Sequence, residues 1–501
     1  MPDKKDVTQI SFPLWIKRQP ENRLYLMLTV TFIILAFGWL KWYYPYPNFL
    51  PDSYSYLDAA FKNVDINIWP IGYSVFLRLF SCLTRSDTAL VFFQYSLLQA
   101  SILYFSFTVK YLIKTGKWLT RVLLVLSIAN PLSLFISNFI SSDSLFAAIS
   151  LIWFTQLLWI LYRPNIPLLI LHAFVLTVAF SIRYNALYYP LISVALIGWI
   201  SMPTTRKFIA IGSIILLLGG FIGNSLYQYR QMTGTNQFSA FGGWQLASNA
   251  LFAYAHSPHD VPQAVPKNFK QLQLSVDRHM DSLHKLTNRP DNQLGIYYLW
   301  NDHAPLKQYL ALRWKKDTVT DGFKKWAVMG PIYSAYGSWL IRQHPMDFIR
   351  YYIWPNMISY YVPKTEFLGI YNMGKDSVEN MAQFWFAYKT PRIMSRNKII
   401  TAVNIYPTLL AIINVLFIFS LIAWGVLQGV QTTHQSFARA LSCMMLVWLA
   451  NFCFSVLASP IVLRYQLFPM IITLTFLCLL LEFLIRSAKA ESNTLKSVVQ
   501  Q

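Results

Sequence analysis

Charge is the scarcest property of this 501-residue chain. Only 13% of its residues are Asp, Glu, Lys or Arg, and 55% are hydrophobic. A soluble domain carries about 25% charged and about 45–50% apolar residues, so a soluble globular protein is excluded. Acidic residues are the rarer sign, 21 against 42 Lys and Arg, a formal charge of +21. Cysteine is nearly absent. Cys82, Cys443, Cys453 and Cys478 lie in apolar stretches without CxxC or Cys/His spacing. That excludes a disulfide framework and a thiolate metal centre and predicts small buried hydrophobes. No internal repeat occurs, and the composition excludes disorder and collagen. What is plentiful is aromatic: 36 Phe, 30 Tyr and 17 Trp, as suits a chain that crosses both membrane–water interfaces many times. The basic excess flanks apolar spans instead of forming one basic face, which points to lipid phosphate and away from nucleic acid.

Apolar runs of about 17–25 residues predict transmembrane helices. Ten are found, near 24–42, 89–109, 119–136, 144–162, 166–182, 186–202, 208–226, 404–427, 439–458 and 462–485. The fifth and sixth divide one long stretch at SIRYN, because Arg183 would otherwise sit near the bilayer centre. The polar N-terminus, MPDKKDVTQISFPLWIKRQPENR, does not read as a cleaved signal peptide. The fold expected is an all-α polytopic membrane protein of about ten transmembrane helices with a large, mostly helical extracytoplasmic loop domain. Residues 1–226 form an N-terminal module of seven spans, 227–400 the loop domain, and 401–501 a C-terminal module of three spans with a tail. Lys and Arg fall on one side of the short loops (Lys17, Arg18 and Arg23; Lys110 to Arg121; Arg163; Arg206 and Lys207; Arg439; Arg486). Both termini are therefore expected in the cytoplasm. Within 227–400 the run GPIYSAYGSWLIRQHPMDFIRYYIWPNMISYYVP is dense in Trp and Tyr. It predicts helices lying along the membrane surface.

Four charged residues stand out because each falls at an outer end of a span. They are Asp52 in PDSYSYLDAAF, Asp143 in NFISSDSLF, Arg183 in SIRYNALYYP and Arg464 in SPIVLRYQLFP. A pore or proton relay places charge at mid-membrane, so these predict a pocket at the outer interface. Each also has a plain structural role open to it. Asp52 and Asp143 can cap helices, Ser55 and Asp58 have capping-box spacing, and the arginines can anchor at the interface. Anchoring arginines are expected mainly on the cytoplasmic side, which favours function for these two. His279 and His284 share no helix face well and lack an acidic partner, so no metal site is expected.

The order of these pieces resembles the GT-C membrane glycosyltransferases, which use polyprenyl-phosphate-linked sugars. Protein O-mannosyltransferases and aminoarabinose transferases belong to that group. The pieces are the acidic loop Pro51-Asp52-Ser53-Tyr54, the following WPIGYSVFLRLF, the turn NPLSLFISNFISSDSLF, the Arg-bearing SIRYNALYYP and the C-terminal LRYQLFPMIITL. Two departures are visible: Ser53 stands where many relatives have a second acid, and Asp143 where they often have Glu. The resemblance implies transfer of a sugar from a polyprenyl-phosphate donor to a hydroxyl acceptor, with a cell-envelope glycan as the expected setting. It implies Asp52 and Asp143 as catalytic residues, Asp52 being the base, and Tyr54, Tyr56, Arg183 and Arg464 as substrate-binding residues. No cofactor or metal is expected, and the other partner is the lipid bilayer, that of a bacterial inner membrane. The alternatives are a transporter or flippase of a lipid-linked saccharide, a surface-polysaccharide polymerase or ligase, and a non-catalytic scaffold.

Overall fold

The computed structural model describes residues 10–257, 265–291, 296–433 and 435–499, with side chains as far as Lys489. Lys4, Lys5, His259 and His434 lie outside them. Helices make up 77% of the described residues, and no strand is found among them. Among the described residues, eight helices are long and apolar enough to cross a membrane: Pro20–Tyr43, Asp87–Ile113, Lys117–Ser137, Ser142–Tyr162, Thr204–Thr233, Thr401–Val426, Gln435–Ala458 and Leu463–Lys489. The chain is an α-helical polytopic membrane protein. All ten expected places are helical, but two are short: Ile166–Ile182 has 17 residues and Tyr189–Trp199 has 11.

Local chemistry sets the helix ends. Proline opens Pro20–Tyr43, Pro51–Lys62 and Pro131–Ser137, where its missing N–H costs no hydrogen bond. Asn165 starts Ile166–Ile182 by accepting the Leu168 N–H at 2.9 Å. That helix stops at Ile182, and Arg183 is its extended C-cap, so the long apolar stretch breaks where its charge predicts. Gly234, at φ +72°, closes Thr204–Thr233 in the left-handed conformation favoured for such caps.

Three expectations from local pattern are corrected. Asp52 and Asp143 are not N-caps: each lies inside the first turn of its helix, behind Leu50 and Ser141. Asp58 forms no capping box with Ser55, since the helix begins four residues before Ser55 and Asp58 pairs with Lys62 at 2.8 Å. Of the cysteines only Cys443 is fully buried, while Cys82 and Cys453 are exposed. An apolar sequence context implies burial in the protein only when the solvent is water, and here much of the helix surface is suited to lipid.

Within 227–400 most of the apolar side chains divide between two cores, and Tyr360 joins a small third one with Val456 and Ile461. Trp244, Leu251, Val276, Tyr298, Tyr333 and Tyr352 pack in one. Leu368, Tyr371, Ala382 and Ile393 join Leu57, Leu98 and Phe154 in the core of the spans. The first core rests on close contact between Phe241–His256 and Gly322–Gln343. A Cβ added to Gly243 would overlap the Gly330 carbonyl, and one at Gly337 would meet the Ala247 nitrogen at 2.8 Å. Gly219 has open space around it. Gly243→Ala is therefore expected to cost about 1–3 kcal/mol through forced separation of the two helices, and Gly219→Ala to be neutral or slightly stabilising. Thermal unfolding in detergent checks the pair, and equal melting temperatures would contradict the packing.

Candidate active site

Two interlocked loop contacts bring remote segments to one place. Asn48 N donates to the Asn138 carbonyl at 2.8 Å and the Asn48 carbonyl accepts from Ile140 N at 3.0 Å, which ties the Asp52 loop to the Asp143 turn. Asn48 and Asn372 exchange side-chain bonds with each other's segments: Asn372 N donates to Asn48 Oδ1 at 2.8 Å, and Phe49 N to Asn372 Oδ1 at 3.2 Å. Leu463 N donates to the Lys364 carbonyl at 2.9 Å, setting the Glu366 segment beside Arg464. The Pro51–Lys62 helix is started by Ser53, whose Oγ accepts the Leu50 N–H at 2.8 Å. Ser53 is thus a buried structural residue.

The four charges singled out in the sequence converge. Arg183 Nη1 donates to Asp143 Oδ1 and, at 3.3 Å, to Ser142 Oγ. Arg464 Nη1 lies 3.4 Å from Asp143 Oδ2 and 3.7 Å from Asp52 Oδ2. Ser141 Oγ donates to Asp143 Oδ2 at 2.9 Å. The Tyr465 ring lies between the two guanidinium groups, its centroid 4.4 Å from Arg183 Cζ and 4.8 Å from Arg464 Cζ. Neither Nη2 group makes a hydrogen bond or ion pair among the described residues. Both arginines are therefore fixed at one side and retain donors for an anion.

Tyr56 joins the cluster through its hydroxyl, 3.1 Å from Ser142 Oγ. Tyr54 does not. Asp52 and Tyr56 are four residues apart and share a helix face, whereas residues two apart point in different directions. Tyr54 instead stacks on Phe49 at 5.8 Å, with its hydroxyl against Glu379.

Sequence reasoning missed Glu366. Its Oε2 lies 3.4 Å from Arg464 Nε, yet these two buried atoms form no hydrogen bond with each other or with any other group. Glu366 also adopts φ +50°, a strained conformation for a residue with a long side chain. Strain and unsatisfied buried polar atoms both gather at functional sites. The one signal available in the sequence was a lone acid in the aromatic run ending YYVPKTEFLG.

Burial raises the pKa of Asp52 above the ordinary aspartate range; Arg464 opposes the shift, and the Asp143 carboxylate adds to it. Burial likewise raises that of Glu366, again against Arg464. Burial works against the Arg183 cation, but Asp143, Tyr465 and Tyr56 hold its pKa above the usual value.

These groups open into a cavity of about 510 Å³, within the range of about 300–1,000 Å³ seen for small-molecule sites. Asp52, Tyr56, Arg183, Glu366, Arg464 and Tyr465 form part of its wall, and Trp69, Phe241 and Trp300 form another part. Searched against family profiles, curated proteins and solved structures, the chain matches none.

The ion-pair geometry separates the two aspartates. Asp143→Ala would strand two nearly buried arginines and is expected to cost about 3–5 kcal/mol. Asp52→Asn leaves the Asp143 pairs intact and should lower the melting temperature in detergent only slightly. Equal losses from the two changes would show that Asp143 is not the structural anchor.

Proposed function

We propose that this chain is a GT-C-type glycosyltransferase that moves a sugar from a polyprenyl-phosphate donor to a hydroxyl acceptor. The observation that supports this best is the pairing, in one cavity, of a carboxylate with two arginines that keep free N–H donors. On this reading the two short helices also cross or enter the bilayer, which gives ten spans. Both termini are then cytoplasmic, and the cavity faces the extracytoplasmic side of a bacterial-type inner membrane. Residues 227–400 then supply the extracytoplasmic domain.

The reaction needs little beyond what the cavity offers. The acceptor oxygen attacks the anomeric carbon while the bond from that carbon to the phosphate oxygen breaks. The bonding electrons leave with the lipid phosphate, and the acceptor proton passes to Asp52. Direct displacement inverts the anomeric centre. Arg183 and Arg464 bind the phosphate through guanidinium N–H donors, whose fork geometry matches its oxygens. Asp143 holds the arginines in place and takes no part in proton transfer. Asp52 can serve as base because it retains 23% exposure of its side chain, on the cavity.

Asp52→Asn is expected to lower turnover by about 10²–10⁴. In cells, a lipid-linked monosaccharide should accumulate and one surface sugar should vanish, in the substituted strain as in a deletion strain; mass spectrometry of lipid-linked sugars and surface glycans reads both. A deletion phenotype that Asp52→Asn does not share would favour a transporter or scaffold. The pH profile gives a second check. The base acts as carboxylate, so activity falls as pH drops through the Asp52 pKa. Burial raises that pKa, so the acid limb should lie above about 3.9, the ordinary aspartate value. An acid limb at or below that value would remove Asp52 as the base.

A further inference from the structure

The chemistry above leaves the aromatic part of the cavity wall unused. Trp69, Phe241 and Trp300 come from three separate segments and meet there. Trp69 lies 4.9 Å from Phe241 and 5.7 Å from Trp300, centroid to centroid, and the last two are 6.3 Å apart. Each ring is only half-buried. Aromatic residues that serve packing alone close onto other side chains, as Trp244 does between Trp326 and Tyr333. Three rings held together on a cavity wall keep apolar faces open to whatever enters. Lys307 Nζ sits 5.8 Å from the Trp300 ring and helps to fix it. Amides adjoin the rings: Gln245, whose nitrogen donates to Asn249 at 2.7 Å, and Asn185 both line the cavity.

A pyranose ring fits this combination. Its axial C–H bonds make one face apolar and suited to an aromatic surface, while its equatorial hydroxyls reach amide groups at the edge. A prenyl chain matches the rings but leaves the amides unsatisfied. We propose that Trp69, Phe241 and Trp300 form a stacking platform for a pyranose ring, so that the acceptor is itself a saccharide. The word acceptor rests on the glycosyltransferase reading; the binding of a pyranose does not. The platform adjoins the reacting groups, because the Tyr56 ring lies 6.5 Å from that of Trp69 and Tyr56 is one turn from Asp52. A sugar stacked there presents a hydroxyl to the carboxylate.

The test is saturation-transfer NMR on the full chain in lipid nanodiscs, with methyl β-D-glucopyranoside and methyl β-D-galactopyranoside as probes and farnesyl phosphate as the competing ligand. Transfer should concentrate on the axial ring protons. Trp300→Ala and Trp69→Ala should weaken binding of at least one glycoside about tenfold, the equivalent of one good aromatic contact. Trp300→Phe should keep it within about threefold, which guards against simple misfolding. Binding of neither glycoside overturns the platform. So does glycoside binding indifferent to Trp300, or a Trp300 dependence found for farnesyl phosphate and not for the glycosides. Turnover of a polyprenyl-phosphate sugar is scored separately: Trp300-dependent binding without turnover keeps the platform and removes the transferase, and turnover without such binding does the reverse.

Discussion

The Asp143 carboxylate, only 3% exposed, is held between two arginines that are themselves 15% and 12% exposed, and the arrangement of the site depends on it. Each guanidinium would be costly to bury alone, and the two would repel each other at this range. One shared carboxylate removes both difficulties. Because Asp143 begins one span, Arg183 follows the end of a shorter helix and Arg464 begins the last span, the same contact fixes three helix ends against one another. The short tie between Asn48 and the 138–140 turn then sets Asp52 beside them.

The charge count around this anchor explains how the remaining groups differ. Three carboxylates face two guanidinium groups, so full ionisation leaves an excess negative charge in a desolvated place. Asp143 takes the hydrogen-bonded contacts with both arginines. Asp52 at 3.7 Å and Glu366 at 3.4 Å, the latter without hydrogen-bond geometry, hold Arg464 more loosely. Burial accordingly raises the pKa of both. An arriving phosphate, on the proposed function, would compete best with these two weak contacts. On the proposed function, occupancy of Arg464 by phosphate would loosen its hold on Asp52, the group that must then accept a proton.

Much of this was legible in the sequence, and the limits have physical causes. Apolar runs locate the eight helices long enough to cross a membrane and two shorter ones, since hydrophobic length is the constraint a bilayer imposes, and the charge at Arg183 marks where the longest run breaks. Asp52, Asp143, Arg183 and Arg464 are visible because a charge at the end of an apolar span is rare. Glu366, Phe241 and Trp300 were missed because they lie in the long stretch between the Thr204–Thr233 and Thr401–Val426 helices, where no membrane pattern constrains position and charged or aromatic residues are common. Tyr54 stands apart from the charged cluster because residues two apart on a helix point in different directions. The exposed Cys453 shows the converse limit: an apolar sequence does not reveal whether a side chain meets protein or the outer surface of a span.

The cavity is built from both packed cores, and this divides its labour. The arginines, Asp52 and Asp143 belong to segments packed with the spans, and Glu366 opens the 366–400 stretch, which packs there too. Trp300 and Phe241 pack instead against the core of residues 229–353. On the proposed function, the groups that hold the phosphate and take up the proton stand on helix ends locked by a buried ion pair, where small displacements are costly. Of the aromatic wall, Phe241 and Trp300 stand on a separately packed unit, while Trp69 packs with the span core beside Tyr56. A change in the second core can therefore move Phe241 and Trp300 while Trp69 stays on the span core, so the two parts of the wall meet at Trp69. Such a division suits a site in which one set of groups performs the transfer and another decides what receives it.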